Sequence, residues 1–289
     1  MAISQRSKDG GGAVSSLLVD NNDNDREIRV RGFAFSPDRQ FVYLGSLDDG
    51  SILRFTVSAQ GQAPSEFQDA EPNVDHITAS GGSLFWTERG QSTARGKNAS
   101  NTIVLNASNQ TNPGWLAVDA LDGDRPYWIA SGTVRRRGAN ATSAQSVVVT
   151  SPNPIAVEVV ANTLFWADRS ANELRSAPVG DLPSAGTAFV TGAGAVEGFT
   201  VDAVTGRVYW VSFEPTAKQL EVYRAGIDGQ NLLLLGKVPV RDQAAYGGNP
   251  FGAAYVIVDD AFVYFTDVGT LNGSATQSED DGVIYRVAK

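Results

Sequence analysis

Short apolar runs alternate with turn-forming residues along the whole chain, a pattern that is typical of β-strands. The clearest example lies between residues 198 and 235, where the runs either are continuously apolar or alternate between apolar and polar positions. In chain order the four runs are 198–202, 208–211, 220–225 and 232–235. Turn sequences such as Ile227-Asp228-Gly229 separate them. The pattern therefore predicts four short antiparallel strands within about forty residues.

This unit recurs six times, and each copy has an aromatic residue at the same position of its second strand. The six residues are Tyr43, Phe85, Tyr127, Phe165, Tyr209 and Tyr264. Their spacings of 42, 42, 38, 44 and 55 residues match the repeat length of β-propeller blades. Exposed rings of this kind could stack on sugars or methylammonium groups, but their recurrence in every copy favours packing in the core. A small apolar strand precedes each of them, as the crowded axis of a propeller requires.

We therefore predict one all-β domain over residues 1–289, a six-bladed β-propeller of four-stranded antiparallel blades. The predicted blades span approximately residues 30–70, 74–106, 113–150, 154–192, 196–236 and 251–289. The last copy ends at Lys289 without a fourth strand, whereas an unassigned strand-like run occupies residues 12–19. We predict that this N-terminal run is the outer strand of blade six and closes the ring, since closure leaves no long edge unpaired.

Composition narrows the classes of function. A formal net charge of −9 disfavours nucleic acid as a partner. The chain has no cysteine, which excludes disulfides and thiolate metal sites, and its single histidine, His76, excludes a multi-histidine metal site. No apolar run approaches the roughly 18 residues of a membrane span, so we expect none. Glycosylation sequons at Asn98, Asn106, Asn109, Asn140 and Asn272 would suit a secreted protein whose signal peptide has been removed.

Several motifs resemble those of known propellers. The sequences from Val208 to Ser212, from Phe165 to Asp168 and from Tyr264 to Asp267 resemble the YWTD repeat of lipoprotein-receptor propellers. Residues 116–119 and 200–202 look like the inner strands of NHL-type propellers. The resemblance implies the propeller fold. It implies no single function, because most propellers of these families bind proteins or small ligands while others with the same ring are enzymes.

Polar residues precede or begin the innermost strands, which should converge on one mouth of the central channel. In chain order they are Arg31, Asp75, Asn112, Asn153, Glu197 and Asn249, and Trp115 lies nearby. We expect these seven residues to bind a small polar molecule or a protein, although Trp115 could equally be part of the core. Catalytic candidates are Glu197, Asp75, His76 and Arg31; His76 could be an acid or base near neutral pH, or simply structural.

Three of these residues also resemble the metal site of gluconolactonase-type propellers. Asn112 and Asn153 match two asparagine ligands of that family and Glu197 matches the carboxylate, which together imply a divalent cation such as Ca²⁺. Arg31 stands where the family has a glutamate, and a cation there would repel the metal. The asparagines have a second explanation, because Asn112, Asn153 and Asn249 all precede proline, as turn formers often do.

We therefore expect a monomeric, non-enzymatic propeller that binds a ligand or a protein at the polar mouth of its channel. The alternative is a lactonase-like hydrolase, or a metal-free catalyst of the cyclase type, acting on a small organic substrate at the same mouth. Arg31, Asp75 and Glu197 could form either a mutual ion network or a polar pocket. Glu158 interrupts an apolar inner strand, so burial should raise its pKa unless a partner such as Arg31 is near.

Overall fold

The computed structural model of the protein describes residues 2–5, 15–19, 30–38, 40–46, 51–56, 65–68, 74–88, 90–138, 140–147, 153–239, 255–258, 260–267 and 283–289. Within these segments the chain is built from β-strands, with only two single-turn 3-10 helices, at Ala120–Asp122 and Val179–Asp181. It divides into two units, one of residues 1–131 and 137–145 and the other of residues 132–136 and 146–289.

The first unit consists of short strands joined by tight turns. Its strands are β1 (Ala2–Gln5), β2 (Ser15–Val19), β3 (Val30–Phe35), β4 (Phe41–Ser46), β5 (Ile52–Thr56), β6 (Ser65–Gln68), β7 (Val74–Ser80), β8 (Ser83–Glu88), β9 (Thr93–Asn98), β10 (Ile103–Ala107), β11 (Leu116–Asp119) and β12 (Arg125–Ala130). Strands β3 to β6 and β7 to β10 form two four-stranded antiparallel sheets in chain order. Strand β11 pairs antiparallel with β12. Next along the chain, β13 (Thr133–Arg137) and β14 (Ala144–Ser146) span the division between the units.

The core of the first unit lies between successive sheets. Trp86 of β8 is completely buried and packs with Ile52, Val74 and Ile77, which joins the sheet of β3–β6 to that of β7–β10. Phe85, on the opposite face of β8, packs in a second cluster with Leu116 of β11 and Trp128 of β12. Neighbouring aromatic residues on one strand thus point to opposite faces, as strand geometry requires.

The second unit repeats this design. Its strands are β15 (Pro154–Val160), β16 (Thr163–Asp168), β17 (Glu173–Pro178), β18 (Thr187–Thr191), β19 (Ala195–Asp202), β20 (Arg207–Glu214), β21 (Gln219–Gly226), β22 (Leu233–Pro239), β23 (Val256–Val258), β24 (Phe262–Asp267) and β25 (Val283–Ala288). Strands β15 to β18 and β19 to β22 form four-stranded antiparallel sheets, and β23 to β25 form a three-stranded one. Tyr209 and Val211 of β20 pack against Val263 and Phe265 of β24.

The structure confirms an all-β chain of four-stranded antiparallel sheets and the burial of most of the repeated aromatic residues. It does not show the predicted closure, because β2 pairs with β1 in a separate two-stranded sheet. Of the predicted run at residues 12–19, the structure describes residues 15–19, which form a strand whose partner is an N-terminal segment that the repeat pattern did not reveal. Six blades and a closed ring remain predictions. No helix among the described segments is long and apolar enough to cross a membrane.

Candidate functional site

The first strands of successive sheets lie side by side within each unit. Strand β7 neighbours β3 and β11 in the first unit, and β19 neighbours β15 and β23 in the second. In propellers such first strands surround the axis, and their ends form the mouth at which ligands bind. The candidate residues therefore have to be located relative to these strands.

Four of the first strands contain a one-residue β-bulge close to their start. The bulges lie between Val30 and Gly32, Val74 and His76, Pro154 and Ala156, and Val196 and Gly198. Three of the extra residues, Arg31, Asp75 and Glu197, belong to the predicted ligand-binding set, and the fourth is Ile155. A bulge bends its strand and changes the direction of the side chain, and bulges are frequent beside functional sites. Arg31, Asp75 and Glu197 thus share one structural position.

The predicted asparagines occupy a different position. Asn153 directly precedes β15 and lies two residues before that strand's bulge. Asn112 is exposed, lies in a bend before β11 and has a positive φ of 47°, which asparagine tolerates better than most residues. These features agree with the role of turn formers. The side chain of Arg31 and the whole of Asn249 lie outside the described part of the structure.

In the second unit, Glu197 is fully buried and forms a salt bridge with Arg169. Arg169 Nη2 donates to Glu197 Oε2 at 2.7 Å, and Arg169 Nε donates to the Val196 carbonyl at 3.2 Å. Arg169 lies in the turn after β16, and its backbone N–H donates to the Asn153 carbonyl at 3.1 Å. Burial lowers the pKa of Arg169, and the charge of Glu197 acts in the opposite direction. Arg169 therefore joins the start of β15, through its backbone, to the start of β19, through its guanidinium.

Arg169 was not among the residues predicted from the sequence, although its position in the sequence marks it as a candidate. This arginine directly follows the YWTD-like sequence that ends at Asp168, whose Oδ1 accepts the backbone N–H of Ala171 at 3.1 Å. The acidic residue thus shapes the turn that carries Arg169. A basic residue immediately after such a motif would have been a candidate partner for the acidic residue of the following first strand.

In the first unit, the rings of His76 and Trp115 lie next to each other, with centroids 5.0 Å apart and planes inclined by 35°. His76 follows the bulged Asp75, and Trp115 immediately precedes β11. Thr87 Oγ1 donates to the carbonyl of Gly114 at 2.9 Å, which fixes the chain next to Trp115. Asp75 and His76 are buried, whereas Trp115 is partly exposed. The structure thus places His76 against the indole of Trp115, and Asp75 precedes His76 in the chain.

The imidazole of His76 does not titrate near neutral pH, contrary to one of the two expectations from the sequence. Burial lowers its pKa to about 4, and the nearby charge of Asp75 offsets only part of this effect. The ring is therefore neutral at pH 7. It can pack or form hydrogen bonds there, but it is a weak general base.

Glu158 connects two first strands of the second unit. Its carboxylate accepts the backbone N–H of Val201 at 2.8 Å, and β15 is thereby linked to β19. Burial raises the pKa of Glu158 to about 7, while the hydrogen bonds from Val201 and Thr200 lower it. The raised pKa predicted from the sequence is confirmed.

This pKa predicts a measurable dependence of stability on pH. Glu158 binds its proton more tightly in the folded chain than in the unfolded one, where its pKa is about 4.5. The free energy of unfolding should therefore fall by roughly 2–3 kcal/mol as the pH rises from 4.5 to 7. Urea unfolding at several pH values should show this loss in the wild type and not in Glu158→Gln. An unchanged pH profile in Glu158→Gln would contradict the assignment, and Glu66→Gln, on an exposed position, serves as control.

The buried acidic residues of the described segments are not arranged as a metal site. Glu88, for example, accepts hydrogen bonds from Trp86 Nε1 at 2.6 Å and Thr93 Oγ1 at 2.5 Å, and it pairs with Arg95 at 3.1 Å. Within the described part of the chain, no group of three or more histidine, aspartate and glutamate side chains is placed to hold a metal ion. Of the three metal candidates, only Glu197 carries a charge, and that charge faces Arg169.

Comparison with known proteins supports the fold. No protein-family model and no curated protein matches the sequence. Virginiamycin B lyase from Staphylococcus aureus has a similar structure, with a TM-score of 0.66 and 13% identity over 100% of this chain and 88% of the lyase chain. The fold is that of a β-propeller. A chain of a nidogen/laminin complex is also similar, with a TM-score of 0.57 and 14% identity over 78% of this chain and 84% of that chain. A luciferin-regenerating enzyme has a TM-score of 0.59 and 12% identity over 90% of this chain and 91% of the enzyme chain. These propellers include both binding proteins and enzymes, so at such low identity they show the fold alone.

Proposed function

We propose that this protein is a six-bladed propeller without catalytic activity that binds a small polar molecule or a protein at the starts of its first strands. This proposal rests on the burial of Glu197 and its ion pair with Arg169. Its carboxylate has no exposed surface and is held by the guanidinium of Arg169 at 2.7 Å. The strongest catalytic candidate is thus engaged in linking strands.

The chemistry of the rival functions explains why this observation matters. A general base has to reach a proton of the substrate, directly or through one water molecule. A Ca²⁺ site needs six to eight oxygen ligands, and a guanidinium in contact with one of them repels the ion. Glu197 would have to give up Arg169 before serving either purpose, which would leave a charge buried without its partner.

Binding, by contrast, needs no free base. Ligand sites in proteins combine aromatic surface with a few polar groups that determine orientation. The partly exposed Trp115, which lies beside the neutral His76, has this composition, and the bulged Asp75 adjoins His76 in the chain. The nidogen/laminin complex supports a protein as one possible class of partner.

The second candidate is a lactonase-like hydrolase or a metal-free, cyclase-type catalyst. Its support is the similarity in fold to a lyase and to a luciferin-regenerating enzyme. Such a catalyst would use Asp75 or Glu197 near the same strand starts, with Ca²⁺ as the cofactor in the hydrolytic version.

A ligand panel distinguishes the two candidates. Thermal unfolding and tryptophan fluorescence would be recorded with a set of small polar molecules that includes simple lactones, in the presence and absence of Ca²⁺. We expect at least one compound to stabilise the protein and to bind about tenfold more weakly to Trp115→Ala. Leu121→Ala, which changes an exposed residue of the same unit, should bind normally. Lactone hydrolysis that disappears in Glu197→Gln would instead establish the enzyme.

A further inference from the structure

Trp115 is the one tryptophan of the chain that is not completely buried. The sequence contains five tryptophans, and the other four, each with 0 or 1% of its surface exposed, are Trp86, Trp128, Trp166 and Trp210. Those four lie within strands, whereas Trp115 directly precedes β11 and is partly exposed. The position of this indole therefore depends on what holds residues 114 and 115.

Strand β12 holds the backbone at Trp115 from one side. The Gly114 N–H donates to the Ile129 carbonyl at 2.9 Å, and the Ile129 N–H donates to the Trp115 carbonyl at 3.0 Å. Gly114 is buried, so its own carbonyl also needs a hydrogen-bond donor. That donor comes from the neighbouring sheet of β7–β10.

Thr87 of β8 is the residue that supplies it. Its Oγ1 donates to the Gly114 carbonyl at 2.9 Å, and Thr87 has no exposed surface. Thr87 is also the cross-strand partner of His76, so the two side chains lie on the same face of their sheet. The ring of His76 packs against the indole of Trp115, with centroids 5.0 Å apart. One cross-strand pair thus holds both the backbone and the ring at the start of β11.

We propose that Thr87 is a positioning residue for the ligand site at Trp115, because its hydroxyl holds the Gly114 carbonyl and thereby keeps the indole against His76. This inference rests on the proposed function, in which Trp115 binds the ligand. Thr87 is completely buried and acts through Trp115. A buried carbonyl without a donor is costly, so loss of the hydroxyl should shift the backbone at Gly114 until another donor or water reaches the carbonyl. Trp115, as the next residue, would move with it.

Acrylamide quenching of tryptophan fluorescence tests this proposal without a ligand. Because the other four tryptophans are buried, the quencher reaches mainly Trp115, and Trp115→Phe should remove most of the quenching. Thr87→Val replaces the hydroxyl by a methyl group of similar size. We expect it to raise the quenching constant above the wild-type value and to shift the emission to longer wavelength. Thr87→Ser keeps the hydroxyl and should restore the wild-type quenching.

Thr93→Val is the matched control. Thr93 is a buried threonine of the same sheet, and its Oγ1 donates to Glu88 at 2.5 Å. The substitution removes a buried hydrogen bond there too, so it should destabilise the protein without changing the quenching of Trp115. A merely structural role of Thr87 predicts this same result for Thr87→Val, and that outcome would overturn the proposal. Equal quenching of Thr87→Ser and Thr87→Val would overturn it as well.

Ligand affinity gives a second measurement, made with the compound of the ligand panel that stabilises the wild type. We expect this compound to bind about tenfold more weakly to Thr87→Val, and we expect Thr87→Ser to restore the affinity. The two proposals can fail separately. If no compound binds the wild type, the proposed function fails, and the quenching result still decides the role of Thr87. If a compound binds through Trp115 while Thr87→Val changes neither affinity nor quenching, the proposed function stands and Thr87 is not a positioning residue.

Discussion

Replacement of Glu197 by alanine is expected to lower the free energy of unfolding by about 3–5 kcal/mol. The carboxylate is fully buried and Arg169 retains only a small exposed fraction, 9% of its side chain. Removing one partner leaves the guanidinium buried without its counter-charge, which costs more than the pair itself contributes. Urea unfolding followed by circular dichroism measures the effect.

Two further variants test whether the loss of stability comes from the unpaired buried charge. The double variant Arg169→Met with Glu197→Met removes both charges, so it should be more stable than either single alanine variant. Glu221→Ala removes a partner of the more exposed ion pair with Lys237 and should cost no more than about 1 kcal/mol.

The sign of the effect also separates the candidate functions. Residues that serve catalysis are often held in destabilised positions, so their replacement tends to stabilise the protein. A more stable Glu197→Ala protein would therefore contradict the structural role of Glu197 and favour the enzyme. A large loss of stability would agree with the non-enzymatic proposal.

The strand pattern was predictable from the sequence because it depends on local periodicity. Tyr209 and Trp210 are adjacent and apolar, and the structure buries both of them on opposite faces of β20. The repetition of this pair at other blade positions indicated core packing, and the complete burial of Trp86, Trp128 and Trp166 agrees. Such information is contained in single strands.

The candidate site was less predictable because it depends on pairs of strands. A bulge is a register difference between two strands, so nothing local distinguishes Glu197 or Asp75 from the asparagines that precede other strands. The partner of Glu197 is also distant in sequence, since Arg169 comes from the preceding sheet. The pairing of β2 with β1 was missed for a related reason: residues 2–5 lie outside the repeat from which the strands were inferred.

The second large effect is expected for Trp210→Ala, which should cost about 3–5 kcal/mol. Trp210 is 1% exposed and stacks on Tyr223, with ring centroids 5.4 Å apart and planes inclined by 16°. Its Nε1 donates to the Ala193 carbonyl at 3.1 Å. Alanine would remove the stacking, leave a cavity on the face of the sheet that carries Trp210 and Tyr223, and lose this hydrogen bond. The unfolding transition is best followed by circular dichroism, because the substitution changes the fluorescence.

Trp210→Phe tests which of these losses dominates. The Ala193 carbonyl also accepts a hydrogen bond from Ser212 Oγ, so the phenylalanine variant leaves no buried carbonyl without a donor. It should therefore keep most of the stability that Trp210→Ala loses. Trp115→Ala gives the comparison with a partly exposed tryptophan, and we expect it to cost clearly less while weakening ligand binding. A cost for Trp115→Ala that equals or exceeds that of Trp210→Ala would assign Trp115 to the core and would remove the indole from the proposed binding site.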